Sequence, residues 1–235
     1  TVSNLLKIIN ECLLFCYNQK PKTNYNDFSV FKRKEGRDPK ILNGNYLMTN
    51  YEEDKTDKTY NTKDNLPDAP FIKTNMKKKF CLVLDIDETI SHSLKLNFGY
   101  YFIMRPGVLE FLEEIAKIYE IVIFTSSPKI YADNIIDKID TKGNLISHRL
   151  YKSHVYFEKG KSIKNLNLIG RDLNKIIFVD NLKCNAKYNP KNLYLIPTWT
   201  DDIYDDNLYK LKNKLIYIYN SGKFDEDITK VLVQS

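Results

Sequence analysis

From residue 79 onward, short and nearly continuous apolar runs alternate with apolar stripes at helical spacing. This alternation restricts the fold more than any other feature of the chain. KFCLVLD (79–85), YYFIMRP (100–106), EIVIFTSS (120–127), KIIFVDN (175–181) and NLYLIP (192–197) read as strands, and HRLYKSHVYF (148–157) as two short ones. Between them, GVLEFLEEIAKIY puts Val108, Leu109, Leu112, Ile115, Ala116 and Tyr119 on one helical face. PKIYADNIIDKID opens with Pro128 at a helix start, and DDNLYKLKNKLIYIY closes the pattern as a further helix. Strands that are apolar on both faces and alternate with helices predict an α/β domain, a Rossmann-like and mostly parallel sheet flanked by helices. In such sheets ligands bind beyond the carboxyl ends of the strands.

Upstream of this pattern the chain is different. Residues 4–17, NLLKIINECLLFCY, carry apolar positions 5, 6, 8, 9, 13 and 16, the stripe of an amphipathic helix, predicted over 1–18. Lys7, Asn10 and Glu11 interrupt it, so it is no membrane span, and it has no small-residue cleavage site. The first residue is Thr rather than Met, which reads as a fragment. Residues 19–66, rich in Asn, Lys, Asp, Thr and Tyr, read as a polar low-complexity insertion or linker, and 67–235 as the folded domain. Hydrophobic residues make up 43% of the chain, enough for a real core. The net charge of +6 fits either an anionic partner or a general bias toward lysine. The four cysteines, 12, 16, 81 and 184, contain no CxxC pair, the usage of a reducing compartment. Cys12 and Cys16 are one helical turn apart, the spacing of half a metal site or of none.

Three apolar strands stop at polar residues: Asp85 with Asp87, Thr125 with Ser126, and Asp180 with Asn181. One acid at a strand end is commonplace. Three carboxylates and an amide at one sheet edge would repel one another unless a hard cation sat among them, and Mg²⁺ takes such oxygen ligands. An aspartate can then act as a nucleophile and form an aspartyl-phosphate. A second carboxylate can protonate the leaving group and later activate water.

The order of motifs resembles a family. LDIDETISHS (84–93) is similar to the DxDxT signature of the haloacid dehalogenase superfamily, in the form used by the FCP/SCP-type, NLI-interacting factor-like, protein phosphatases. The resemblance continues through RPGVLEFLEEIAKIYEIVIFTSSPKIYAD, SHRLYKSHVYFEKGKSIKNLNLIGRDLNKIIFVDN and IPTWTDD, and covers roughly residues 66 to 220. It implies a haloacid dehalogenase-like domain with a small cap or none. Asp85 is implied as the nucleophile, Asp87 as the general acid and base, and Thr125 as the hydroxyl that holds the phosphoryl group. Lys164 is implied as the lysine that neutralises it, with Ser126 and Lys152 beside the phosphate. Asp85, Asp87 and Asn181 are implied as ligands of Mg²⁺, with Asp180 behind them.

The implied activity is a Mg²⁺-dependent protein serine/threonine phosphatase, acting on the RNA polymerase II C-terminal domain or another phosphoprotein. The implied partner is a phosphoprotein or phosphopeptide, with no direct nucleic acid, no membrane span and a monomeric state. The implied location is intracellular, nuclear or cytoplasmic. The segment between DETISHS and RPG, LKLNFGYYFIM, is shorter than in the phosphatases and is more like the mitochondrial import component Tim50. The alternative is therefore a Tim50-like binding module in mitochondria. Leu94, Leu96, Phe98 and Tyr100 either line the mouth of the site or pack beneath its loop. EKGKS (158–162) is not a P-loop, because the glycine required five positions before Gly160 is Val155. His148 and His154 have no third metal partner and read as ordinary polar or core residues.

Overall fold

Each expected parallel strand ends where a chain reversal is needed, and the sheet they form fixes where their ends meet. The computed structural model describes residues 46–49, 61–96, 99–222 and 226–232, with the backbone alone for 46–49, 95, 96 and 99–101. The predicted helix over 1–18, with Cys12 and Cys16, lies outside the described residues, as does Phe98.

In chain order the elements are β1 (Tyr46–Thr49), β2 (Phe80–Leu84), β3 (Ser91–Leu96), β4 (Gly99–Met104), α1 (Val108–Ile115), β5 (Tyr119–Phe124) and α2 (Lys129–Ile139). β6 (His148–Leu150), β7 (Tyr156–Glu158), β8 (Lys161–Ile163), β9 (Ile176–Asp180), β10 (Leu193–Leu195) and α3 (Asn207–Ser221) follow. The central sheet has the order β10-β9-β2-β5-β6, and all of its pairs are parallel. The α/β class read from the sequence is therefore the observed one. β2 lies between its successor β5 and the much later β9, so the chain order reverses beside β2. That is the position where such sheets open a crevice.

β2 is buried along its whole length and sorts its side chains by period two. Phe80, Leu82 and Leu84 join the core beneath the helices, with Phe111, Leu112, Ile135, Leu211 and Leu215. Cys81 and Val83 face a second core with Val155, Leu166, Ile169 and Ala186. Among the described residues, no α-helix contributes to that second core; short 3-10 turns and connecting segments cover the face. In α1 the buried stripe is Val108, Phe111, Leu112 and Ile115, whereas Leu109, expected there, is 48% exposed. Gly107, at φ 80°, precedes α1 because a Cβ there would meet the Tyr209 ring at 2.8 Å.

β1, β3 and β8 were not anticipated, whereas β4 falls on the strand read over 100–106. β3 and β4 form an antiparallel hairpin immediately after the β2 loop, and β1 pairs with the outer edge of β4. β1 and the turn Lys63–Asn65 lie within 19–66, so part of the presumed linker is structured. Four residues are too few for a periodic signal, and β1 pairs with a strand more than 50 positions away. β7 and β8 form a second small hairpin, which leads into Lys164.

Candidate active site

Asp85 is the first residue beyond β2. Its amide donates to the Val179 carbonyl at 3.0 Å, which locks the carboxyl end of β2 to β9. At the end of β9, Asp180 is fully buried, and Lys164 comes in after β8 with its side chain fully buried as well. The Lys164 Nζ lies 2.7 Å from Asp85 Oδ1 and 2.7 Å from Asp180 Oδ2. Asp180 also accepts from the Leu182 amide at 2.7 Å and, through both oxygens, from Asn185 Nδ2 at 3.0 and 2.9 Å. Asn185 is fixed in turn: Ser162 donates to its Oδ1, and its carbonyl accepts from the Lys164 amide.

One ammonium is thus shared by two buried carboxylates. Burial, then the charge of Asp180, pushes the Asp85 carboxyl well above the usual carboxylate range, and Lys164 only partly opposes this. Burial works against the charge of Lys164, but Asp180 and Asp85 outweigh it and hold its ammonium above the ordinary lysine value.

Asp87 is gripped from the opposite side. The Ser127 hydroxyl donates to its Oδ2 at 2.6 Å, and the Tyr131 hydroxyl to its Oδ1 at 2.5 Å. Burial raises the Asp87 carboxyl and these two donors hold it back. Ser127 is reached because Thr125 Oγ1 accepts its amide at 3.0 Å, curling the loop that follows β5. Thr125 is fully buried, and the Ser126 hydroxyl is a buried donor with no partner among the described residues. A buried hydroxyl left unpaired costs about 1–3 kcal/mol, a cost that a bound oxyanion would remove. Lys152 is joined to the same loop through its amide, 2.9 Å from the Ser127 carbonyl.

Asn181 completes the rim, with Nδ2 donating to Thr198 Oγ1 at 3.2 Å. Behind the rim, the fully buried Arg105 donates to both oxygens of Asp205 at 2.7 and 2.8 Å, and to the Thr89 carbonyl at 3.0 Å. This clamp ties the Asp85–Thr89 loop to the segment leading into α3. Glu88 holds φ at 56°, uncommon for a residue with a side chain, and its carbonyl accepts from the Trp199 amide at 2.9 Å.

The structure therefore gathers Asp85, Asp87, Thr125, Ser126, Lys164, Asp180 and Asn181 around the ends of β2, β5 and β9. Three particulars bear on the sequence reading. Among the described residues, no group of three His, Cys, Asp or Glu side chains could hold a metal ion, so the three acids do not converge as one ligand cluster. Protein donors occupy both oxygens of Asp180, and hydroxyls occupy both carboxylate oxygens of Asp87. Leu94 is buried at 8% exposure, which, of the two alternatives for it, speaks against lining an open mouth. Ser127, Tyr131, Asn185 and Arg105 were not foreseen. A serine two residues after Thr125, and a tyrosine facing back one helical turn later, were the only available signals for the first two.

His148 and His154 are not brought together at the site. His148 lies beside the Glu120–Arg171 ion pair, and the His154 ring packs edge-on against Phe71 at 5.0 Å. Among the described residues, no helix is long and apolar enough to cross a membrane.

A family model described as NLI interacting factor-like phosphatase matches residues 80–227. Phosphatase PSR1 of Saccharomyces cerevisiae is 38% identical over 175 residues, covering 66% of this chain and 40% of the relative. Phosphatase Herzog of Drosophila melanogaster is 36% identical over 154 residues, covering 59% and 43%. The mitochondrial import inner membrane translocase subunit tim50 of Aspergillus fumigatus is 33% identical over 159 residues, covering 67% and 31%. The chain spans less than half the length of each of these relatives.

Proposed function

We propose that this chain, which belongs to the NLI interacting factor-like phosphatase family, removes phosphate from phosphoserine or phosphothreonine in a protein substrate through an aspartyl-phosphate at Asp85. The observation that carries this reading is Asp85 held 2.7 Å from the fully buried Lys164, with Asp87 two residues on and oriented by two hydroxyls. Lys164 fixes one oxygen of Asp85, leaving the other to attack phosphorus. As the bond to the serine or threonine oxygen breaks, Asp87 donates its proton to that oxygen. Asp87 then takes a proton from water as the water attacks the same phosphorus, which releases inorganic phosphate and restores Asp85. Thr125 and the unpartnered Ser126 hydroxyl would hold the phosphoryl oxygens, and Lys152 would stand beside them.

The donor set suits Mg²⁺. The second oxygen of Asp85 and the Asn181 amide oxygen are hard donors. The bridge between Asp87 and Ser91 runs from Ser91 N to Ile86 O and from Glu88 N to Ser91 O, so it leaves the Asp87 carbonyl unused. One carboxylate with neutral oxygens, the rest being water and phosphate, is how Mg²⁺ is usually bound. When bound it would supply positive charge to the phosphoryl oxygens.

The competing reading, a binding module like the tim50 relative, needs none of these acids to be reactive. Phosphate release from a panel of phosphopeptides, with and without Mg²⁺ and with Asp85→Asn as control, separates the two. Mg²⁺-dependent release that is lost in the variant supports the phosphatase. Peptide binding with no release from any substrate favours the module.

A further inference from the structure

Asn61 lies upstream of residues 80–227, the stretch that matches the family, yet its side chain begins a chain of contacts that ends on Asp87. Its Nδ2 donates to the Lys152 carbonyl at 2.8 Å and to the Val155 carbonyl at 3.1 Å. Its own carbonyl accepts from the Phe157 amide at 2.9 Å. The two side-chain bonds span the 3-10 turn Lys152–His154. On the other side of that turn, the Lys152 amide donates to the Ser127 carbonyl at 2.9 Å. The Ser127 amide is held by Thr125 Oγ1, and the Ser127 hydroxyl is one of the two donors on Asp87.

We infer that Asn61 is a positioning residue for the proposed phosphoryl transfer, fixing the Lys152–His154 turn so that Ser127 keeps its hydroxyl on the acid Asp87. The inference rests on the phosphatase reading. A short 3-10 turn has few bonds of its own, here the His154 amide on the Tyr151 carbonyl and the Val155 amide on the Lys152 carbonyl. The two N–H groups of one side-chain amide diverge, so Asn61 can serve a carbonyl at each end of the turn and resist its rotation as a unit. The bond from Ser127 to Asp87 weakens steeply as its angle opens, and an acid that must reach a leaving oxygen depends on being aimed. The three Asn61 bonds all fall on backbone groups of residues 152–157, so its influence on Asp87 passes through Ser127. Lys63, in the same upstream segment, is anchored separately, with its Nζ 5.5 and 5.0 Å from the centres of the Tyr156 and Tyr188 rings.

The test is kcat/KM of Asn61→Ala and Asn61→Asp in the full chain, on a phosphopeptide and on an aryl phosphate with Mg²⁺ present, each variant made also in a Ser127→Ala background. Asn61→Asp keeps the shape and removes both donors, so it serves where the alanine variant fails to fold. Lys63→Ala is the control, since it loosens the same segment and leaves the Asn61 bonds in place. The expected result is a fall of about fivefold or more on the phosphopeptide, with the aryl phosphate changed less than about twofold because its leaving group needs little protonation. In the Ser127→Ala background the Asn61 substitutions should add less than about twofold, because both act on one link. Lys63→Ala should change neither substrate. An equal fall for both substrates would place Asn61 in phosphate binding or general bracing, an undiminished fall without Ser127 would break the relay, and an equal fall in Lys63→Ala would make the effect one of segment docking. No fall on the phosphopeptide, or unfolding of both Asn61 variants, would leave it without a role in positioning. Each of these overturns the inference. Failure of the parent chain to hydrolyse either substrate would instead overturn the phosphatase reading, and this inference with it.

Discussion

Lys164 and Asp85 form an ion pair of 2.7 Å in which the lysine side chain has no exposed surface and the aspartate is 7% exposed. Because the same ammonium also serves Asp180, the group proposed as nucleophile is oriented but not fully neutralised. That imbalance leads to each of the following expectations.

Asp85→Asn is expected to remove turnover by more than a hundredfold while leaving the fold intact. The amide keeps an oxygen for Lys164 but cannot form the covalent bond. Phosphopeptide hydrolysis, with circular dichroism as the folding control, checks this. More than about a hundredth of parental activity in the variant would rule out Asp85 as the nucleophile.

Asp87→Asn is expected to slow phosphopeptide hydrolysis far more than hydrolysis of an aryl phosphate, whose leaving group needs little protonation. Tyr131→Phe removes one of the two donors that orient Asp87. It should cost about tenfold on peptides, the value of one hydrogen bond of about 1.4 kcal/mol. Equal damage to both substrates in Asp87→Asn would count against the acid role.

Mg²⁺ is expected to raise the melting temperature at pH 7. The carboxyls of Asp85 and Asp87 have folded pKa values above the ordinary 3.8, so the metal-free fold retains protons that the unfolded chain loses. Their contribution to stability is therefore lost as pH rises from about 3.8 through the folded values, and a cation restores it. At a hundred times its dissociation constant, such an ion stabilises by about 2.7 kcal/mol. The shift should shrink on acidification and in Asp85→Asn. A melting temperature that ignores millimolar Mg²⁺ would contradict the proposed site.

Lys164→Met is expected to lower stability by about 3–5 kcal/mol, because Asp85 and Asp180 are left buried without their cation. Adding Asp180→Asn should recover part of the loss. In the parent chain the folded pKa of Lys164 lies above the ordinary 10.5, so its stabilisation is complete below that pH and fades as pH rises through the folded value. Urea midpoints between pH 8 and pH 12 should show an alkaline loss that is smaller in the Lys164→Met variant. Identical alkaline slopes would show that the pair does not contribute.

The central sheet and the positions of Asp85, Thr125 and Asp180 were legible in the sequence because they rest on local patterns. An apolar run buried on both faces declares itself residue by residue, and a polar residue ending such a run marks the open edge of the sheet. Lys164 was found only through family resemblance, since a single lysine in a lysine-rich chain carries no periodic signal. The bonds that set the chemistry were decided by tertiary structure alone. Ser127 and Tyr131 meet Asp87 across some 40 positions, Arg105 reaches Asp205 across 100, and β1 finds β4 from a stretch of linker-like composition. Such contacts depend on how separate elements pack in three dimensions, and local propensity holds no record of them. The sequence determined which groups stand at the sheet edge, and the packing decided which of them bear charge, which are held, and which remain open to a substrate.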